Sequence, residues 1–151
     1  MGNIFTESGQ WYKGNLHAHT IHSDGKLTPE QSVQAYRQHG YSFMCLSEHD
    51  HFTDWRQQLD SEDFILLPGL EASTCLVDTS QMDIDAQDLT DYLKSRGCFT
   101  TYNHPIWSRV DTEDVRDLQG AWAIEVYNYA TVNECGEGED TTFWDARYRS
   151  V

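Results

Sequence analysis

Basic residues are scarce in this chain. Its 151 residues hold 10 Lys and Arg against 25 Asp and Glu, a formal net charge of −15. A nucleic-acid groove needs Lys and Arg clustered against phosphate, and docking on anionic lipid needs the same, so the balance argues against both. The acidity is expected to act as a solvated surface. Proline is rare, with three residues, and no run approaches the roughly 18 apolar residues that a membrane span requires. The opening MGNIFTESGQ lacks the basic-then-apolar pattern of a signal peptide. The four cysteines, Cys45, Cys75, Cys98 and Cys135, show no CxxC spacing. Cys45 and Cys98 fall in apolar runs and are expected as buried small hydrophobes. A cytoplasmic protein with reduced thiols is the expected placement. No Ser or Cys stands in a recognisable nucleophile motif, and there is no internal repeat or low-complexity tract. The length fits one domain, 1–151, but falls short of the about 250 residues typical of a full (β/α) barrel.

What the chain does hold is GNLHAHTIHSDG, Gly14 to Gly25. Leu16, His17, Ala18, His19 and Thr20 read as a strand over 14–20. Alternate side chains share a face, so His17 and His19 point the same way, about 6–7 Å apart and within reach of one ion. Ser23-Asp24-Gly25 is a turn signal that swings Asp24 back over the same end. Two imidazoles and a carboxylate suit Zn²⁺, Mn²⁺ or Fe²⁺.

The rest of the chain alternates between strand and helix patterns. Thr28-Pro29-Glu30-Gln31 is a helix start with Thr28 as N-cap, and Gly40 is its stop. Val33, Tyr36 and Ala35 form its inner face. YSFMCLS, Tyr41 to Ser47, reads as a strand buried on both faces that delivers Glu48, His49, Asp50 and His51. A weakly helical segment covers Thr53 to Ser61, and Phe64 to Leu67 is a strand with Glu71 beyond its end. Residues 72–84 carry no clear pattern. Residues 85–96 read as a helix with Leu89, Tyr92 and Leu93 inward and Gly97 as its stop. Cys98 to Tyr102 is a strand ending at Asn103-His104-Pro105. Asp111 to Leu118 reads as a helix and Ala121 to Tyr127 as a strand ending at Asn128. An acidic loop, Gly136 to Asp140, precedes a last helix, Thr141 to Arg149. Such alternation predicts βαβ units and a parallel sheet or barrel.

Polar groups recur at the carboxyl ends of these strands: His17, His19 and Asp24, then His49, Glu71, His104 and Asn128. In α/β folds, sites are built on that edge. Five of the seven histidines lie there, counting His51. One histidine alone is more often structural than a ligand; several with two acids on one edge point to metal.

HAHT followed by SDG, then SEHD after an apolar strand, PGLE and NHP together resemble the PHP (polymerase and histidinol phosphatase) superfamily. KGNLHAHT, EVYN and FWDAR look most like its CehA/McbA-type metallohydrolases, across about residues 11–149. The resemblance implies a distorted (β/α)7 TIM-like barrel with two or three metal ions (Zn, Mn or Fe) at the strand ends. It implies hydrolysis of phosphoesters or, in some members, carbamates and amides. Carried over by motif, His17 and His19 bind one metal with Glu71, Asp24 and His49 serve a second, Glu71 bridges, and His104 binds a third. These six are the expected catalytic and metal residues. Metals acting together lower the pKa of a bound water and polarise the oxygen under attack, so no side-chain nucleophile is required.

The chain departs from the family pattern in two places. An Asp-x-His on a last strand is expected where the chain stops at Val151, and residues 72–103 contain no histidine where one is usual. A truncated, incomplete barrel and a divergent member both account for this, and the short length favours the first. Asp78, Asp83 and Asp85 are candidate substitutes, with no spacing to choose between them.

Arg109, His51 and Asn128 are the expected substrate-binding residues. Arg109 is placed to clamp a phosphate, with a surface ion pair as the equal alternative. His22 is expected to orient ligands or face solvent. Glu48 and Asp50 read as carboxylates supporting His49, and His39 as a helix-end residue. The expected function is metal-dependent hydrolysis of a small, phosphorylated substrate. The rival is a non-catalytic remnant or binding module that keeps the fold and a metal. A nuclease is disfavoured by the charge.

Overall fold

A computed structural model of the chain describes residues 9–72 and 85–134, with Gly136 and Gly138. The chain divides into two compact units, Met1–Ser73 and Thr74–Val151, each with its own parallel sheet.

The first unit carries β1 (Gly14–Asn15), α1 (Pro29–Gln38), β2 (Phe43–Cys45), α2 (Arg56–Leu59) and β3 (Ile65–Leu67). The sheet order is β1-β2-β3, all parallel, with Gly14 against Phe43 and Met44 against Leu66. Parallel neighbours need a crossover, which α1 and α2 supply. The core joins Ala18, Val33, Met44, Leu46, Phe64 and Leu66, with Tyr36, Tyr41, Trp55 and Leu59 packed against it. Met44 and Phe64 are fully buried. Every residue from Met44 to Glu48 is buried, as the apolar run predicts, but Ile65 and Leu67 leave the outer face of β3 open.

Helix α1 begins and ends where its caps dictate. The Thr28 side chain accepts from Gln31 N–H while the Gln31 side chain accepts from Thr28 N–H. At its end Gly40 takes φ +76°, which spares a Cβ clash, and Tyr41 N–H donates to the Tyr36 carbonyl. Val33 and Ser32 are buried on the inner face.

The first strand is shorter than the alternation of residues 14–20 predicts. Asn15 Oδ1 accepts from His17 N–H at 3.2 Å, a local bond that competes with the ladder. The chain still runs beside β2: Ser47 N–H donates to the Ala18 carbonyl at 2.8 Å, and Ala18 N–H donates to Ser47 Oγ at 3.2 Å. The expected helix over 53–61 is one turn, α2.

The second unit carries α3 (Ala86–Ser95), β4 (Thr101–Tyr102), α4 (Pro105–Ser108), α5 (Thr112–Asp117), β5 (Ala123–Ile124) and a π-helical turn, Ala130–Glu134. Strands β4 and β5 are parallel, and Val115 and Ile124 form the core with Tyr102, Ile106 and Val110. Asp85 caps α3 by accepting from Asp88 N–H, so that candidate is spent on the helix. Two expectations fail here. Tyr92 is 56 % exposed, because the inward stripe runs through Ala86, Leu89, Thr90 and Leu93 and misses it. Cys98 is exposed, since β4 starts only at Thr101 and leaves it outside the sheet. Short helix α4 and the π-helical turn have no counterpart among the expected elements.

Among the described residues the strands pair as these two sheets and not as a closed barrel. No described helix is long and apolar enough to cross a membrane. The expected last helix 141–149, and Asp78 and Asp83, lie outside the described residues.

Candidate metal centre

The candidate site lies past the carboxyl ends of β1, β2 and β3, and backbone bonds bring its parts together. Beyond β2 and β3 the parallel pairing resumes for one step, His49 against Glu71. Glu71 N–H donates to the Glu48 carbonyl at 3.0 Å, and Asp50 N–H donates to the Glu71 carbonyl at 2.8 Å. Asp50 takes φ +51° at this corner. Beyond β1, the Thr20 carbonyl accepts from both Ser23 N–H and Gly25 N–H, which folds the loop back. Only glycine fits at 25: a Cβ there would overlap the His19 carbonyl.

His17, His19, His49 and Glu71 converge on one carboxylate oxygen. His17 Nε2 and His19 Nε2 each lie 3.0 Å from Glu71 Oε2 and 2.9 Å from each other. His49 Nδ1 lies 3.3 Å from the same oxygen. Its other nitrogen, Nε2, faces Asp24 Oδ2 at 3.4 Å, while Asp24 Oδ1 is 3.5 Å from His19 Nδ1. The His19 and His49 rings stack with centroids 4.4 Å apart. Side-chain exposure rises from 8 % at Glu71 through 18 % at His19 to 40 % at His49 and 67 % at Asp24. The cluster thus has a buried floor and a solvent-facing side.

The donor set fits a metal ion. Donors on one face of an octahedron, about 2.1 Å from the ion, stand about 3.0 Å apart, and tetrahedral donors stand about 3.4 Å apart. The His17–His19–Glu71 triangle, with edges of 2.9, 3.0 and 3.0 Å, has the octahedral spacing. Two imidazoles and one carboxylate on a face leave the opposite positions for water or substrate. The Asp24–His49 edge of 3.4 Å has the wider spacing.

Beneath the cluster lies Glu48, 1 % exposed. Both its oxygens accept from Thr20 N–H at 3.1 Å; Oε1 also accepts from Thr20 Oγ1 and Oε2 from Ser23 Oγ, each at 2.5 Å. Burial pushes its pKa up, but the hydrogen bonds from Ser23 and Thr20, with the nearby His19, outweigh burial and hold it below the ordinary value. Glu48 thus braces the Thr20–Ser23 loop behind His19 rather than the expected His49. Cys45, by contrast, is an inert core thiol that burial raises to about 11.

The remaining expected residues are placed as follows. His51 is exposed, with Nε2 3.1 Å from Thr53 Oγ1. His22 is exposed over the Trp55 ring at 5.3 Å. His39 caps α1, and its Nδ1 lies 2.8 Å from the Ala35 carbonyl.

His104, Arg109 and Asn128 belong to the second unit. His104 sits at the end of β4 as the N-cap of α4, with φ +27°, and its N–H donates to Glu125 Oε2 at 3.0 Å. Such a backbone persists in a non-glycine residue only where the surroundings impose it. Arg109 is exposed at the end of α4 with φ +53°. Asn128 caps the π-helical turn: its Oδ1 accepts from Thr131 N–H at 3.0 Å, and its Nδ2 donates to Glu125 at 3.4 Å. The sequence marks Ser23 only as part of a turn and Glu125 only within EVYN; the fold shows that Ser23 donates to Glu48 and that Glu125 accepts from His104 N–H. Compared with known sequences, the chain matches no protein-family model and no curated protein.

Proposed function

We propose that the chain is a metal-dependent hydrolase of the PHP type, acting on phosphoesters, with an incomplete barrel of that family. The observation that carries this reading is the His17–His19–Glu71 triangle at octahedral spacing beside a solvent-facing His49–Asp24 pair. His17, His19 and Glu71 would hold one ion, and Asp24 with His49 Nε2 a second. His104 as ligand of a third ion belongs to the same proposal, as do substrate roles for Arg109, His51 and Asn128. Bound metal would supply an activated water and a Lewis acid for the phosphoryl oxygen. The chain's own residues set the stage for that chemistry. Buried Glu71 brings negative charge to the floor, where a cation is otherwise poorly solvated. Asp24 and His49 face the open side, where an incoming substrate would displace water. A phosphorylated small molecule is the proposed substrate, its negative charge to be met by the bound ions, and a reduced, cytoplasmic setting is proposed with the free thiols of Cys45 and Cys98.

A second reading, a single-ion binding module without turnover, is favoured by one fact: His17, His19 and His49 all face the same Glu71 oxygen, at 3.0, 3.0 and 3.3 Å, so that one ion could engage the whole set. Plasma mass spectrometry on untagged protein, followed by a screen of aryl phosphates and carbamates, separates the two. Two or more equivalents of Zn, Mn or Fe with hydrolysis that His17→Ala and Glu71→Gln abolish supports the enzyme. One equivalent and no turnover supports the module. Full activity in both variants would refute a metal centre at this place.

A further inference from the structure

The hydrogen bonds behind His19 bear on the chemical form of its ring. Ser23 Oγ touches three groups: Glu48 Oε2 at 2.5 Å, Asp24 Oδ1 at 3.4 Å and His19 Nδ1 at 3.3 Å. A serine hydroxyl has one proton to give. Both carboxylates are acceptors, and Glu48, already accepting from Thr20 N–H through both oxygens, is by far the nearer. Whichever of the two takes the Ser23 proton, Ser23 Oγ faces His19 with lone pairs only. The other group beside His19 Nδ1, Asp24 Oδ1 at 3.5 Å, is also an acceptor.

We infer that Glu48 and Ser23 are positioning residues that hold His19 as its Nδ1–H tautomer, its unprotonated Nε2 accepting at 2.9 Å from His17 Nε2–H, a proton that Glu71 Oε2 shares at 3.0 Å. Resting on the metal reading above, this names the relay that prepares one ligand before any ion arrives. A histidine ligand offers the lone pair of one nitrogen, and the bond made by the other nitrogen decides which tautomer is present. Glu48 does this from a site shut off from water, 1 % exposed. The relay also explains why an acid from the end of β2 sits directly under the loop after β1: Thr20, Ser23 and Glu48 form one hydrogen-bonded unit that fixes both the loop and the ring.

The test is nitrogen NMR of the histidine rings in the metal-free full chain, at a pH where the rings are neutral, together with Zn²⁺ titration by calorimetry. The expected result is a protonated Nδ1 on His19 in the natural chain. In Ser23→Ala this signal shifts toward the Nε2–H form and Zn²⁺ affinity falls by about 10–100-fold, the usual range for losing a ligand's outer hydrogen bond. His22→Ala, whose ring rests on Trp55, leaves both readouts unchanged. Circular dichroism matching the natural chain shows that Ser23→Ala folds, and Ser23→Thr, which keeps the hydroxyl, restores the tautomer. An Nε2–H form in the natural chain, or a Ser23→Ala chain with unchanged tautomer and affinity, would overturn the inference. The Nδ1–H form without any Zn²⁺ binding would support the relay while refuting the metal reading.

Discussion

Zinc added to the metal-free chain is expected to raise its thermal midpoint, and Glu71→Gln to remove most of the gain. A ligand that binds only the folded state stabilises it by about 2.7 kcal/mol at 100 times its dissociation constant. For a unit of this size each kcal/mol is worth roughly 4–8 °C, so the natural chain gains on the order of 10–20 °C. Glu71 Oε2 is the point that both Nε2 atoms face, so its loss removes the anionic corner of the triangle. A hundredfold weaker site at the same zinc concentration is then only half filled and contributes about 0.4 kcal/mol, or roughly 2–3 °C. The substitution keeps the fold, because residue 71 is anchored by its backbone to Glu48 and Asp50 and the amide has the shape of the acid. Melts followed by circular dichroism at rising ZnCl2 measure both midpoints. With a net charge of −15 the surface binds zinc weakly in either protein. Equal shifts in the two chains would therefore place the ion on that surface and refute the triangle.

Three further outcomes follow from the geometry. Phe64→Ala empties a fully buried position in the core of the first unit and costs about 3–5 kcal/mol, read as a fall in the urea midpoint; a loss under about 1 kcal/mol would mean that the core is not packed around this ring. Gly25→Ala places a methyl group against the His19 carbonyl, so it costs about 1–3 kcal/mol and weakens Zn²⁺ binding, whereas Gly138→Ala, with nothing near its added carbon, costs little; equal effects of the two would refute the tight loop. Glu48→Gln tests pH linkage in the metal-free chain. The Glu48 carboxyl lies below its ordinary 4.5 when folded, so its stabilisation is complete above that value and fades as pH falls through the lowered one. The stability gap between the natural chain and Glu48→Gln, measured by urea unfolding, is thus wide at neutral pH and narrows in acid. A gap that stays constant would show that Glu48 is not held ionised.

Local chemistry was legible where it is self-contained. The capping box at Thr28 and Gln31 and the glycine stop at Gly40 satisfy helix-end groups with neighbours in sequence, so helix α1 stands where its residues place it. The apolar run around Met44 reads as a buried strand, and β2 lies within it. His17, His19 and Asp24 were readable as a group because a few bonds of backbone separate them, and the structure brings His49 and Glu71 to them. Patterns that depend on what lies opposite were read less well. Tyr92 and Cys98 are apolar enough to be inward, but exposure is decided by which stripe of α3 meets the sheet and where β4 begins.

Composition and spacing alone determined the acidic surface, the alternation of strands and helices, and the ligand types available to an ion. Tertiary structure alone decided that His49 and Glu71 pair across parallel strands, that Asn15 ends the first ladder early, and that Glu48 turns inward under Ser23. The reason is physical: residue type sets what a side chain can donate or accept, but a donor triangle 3.0 Å on a side requires backbones from distant parts of the chain to be hydrogen-bonded in register.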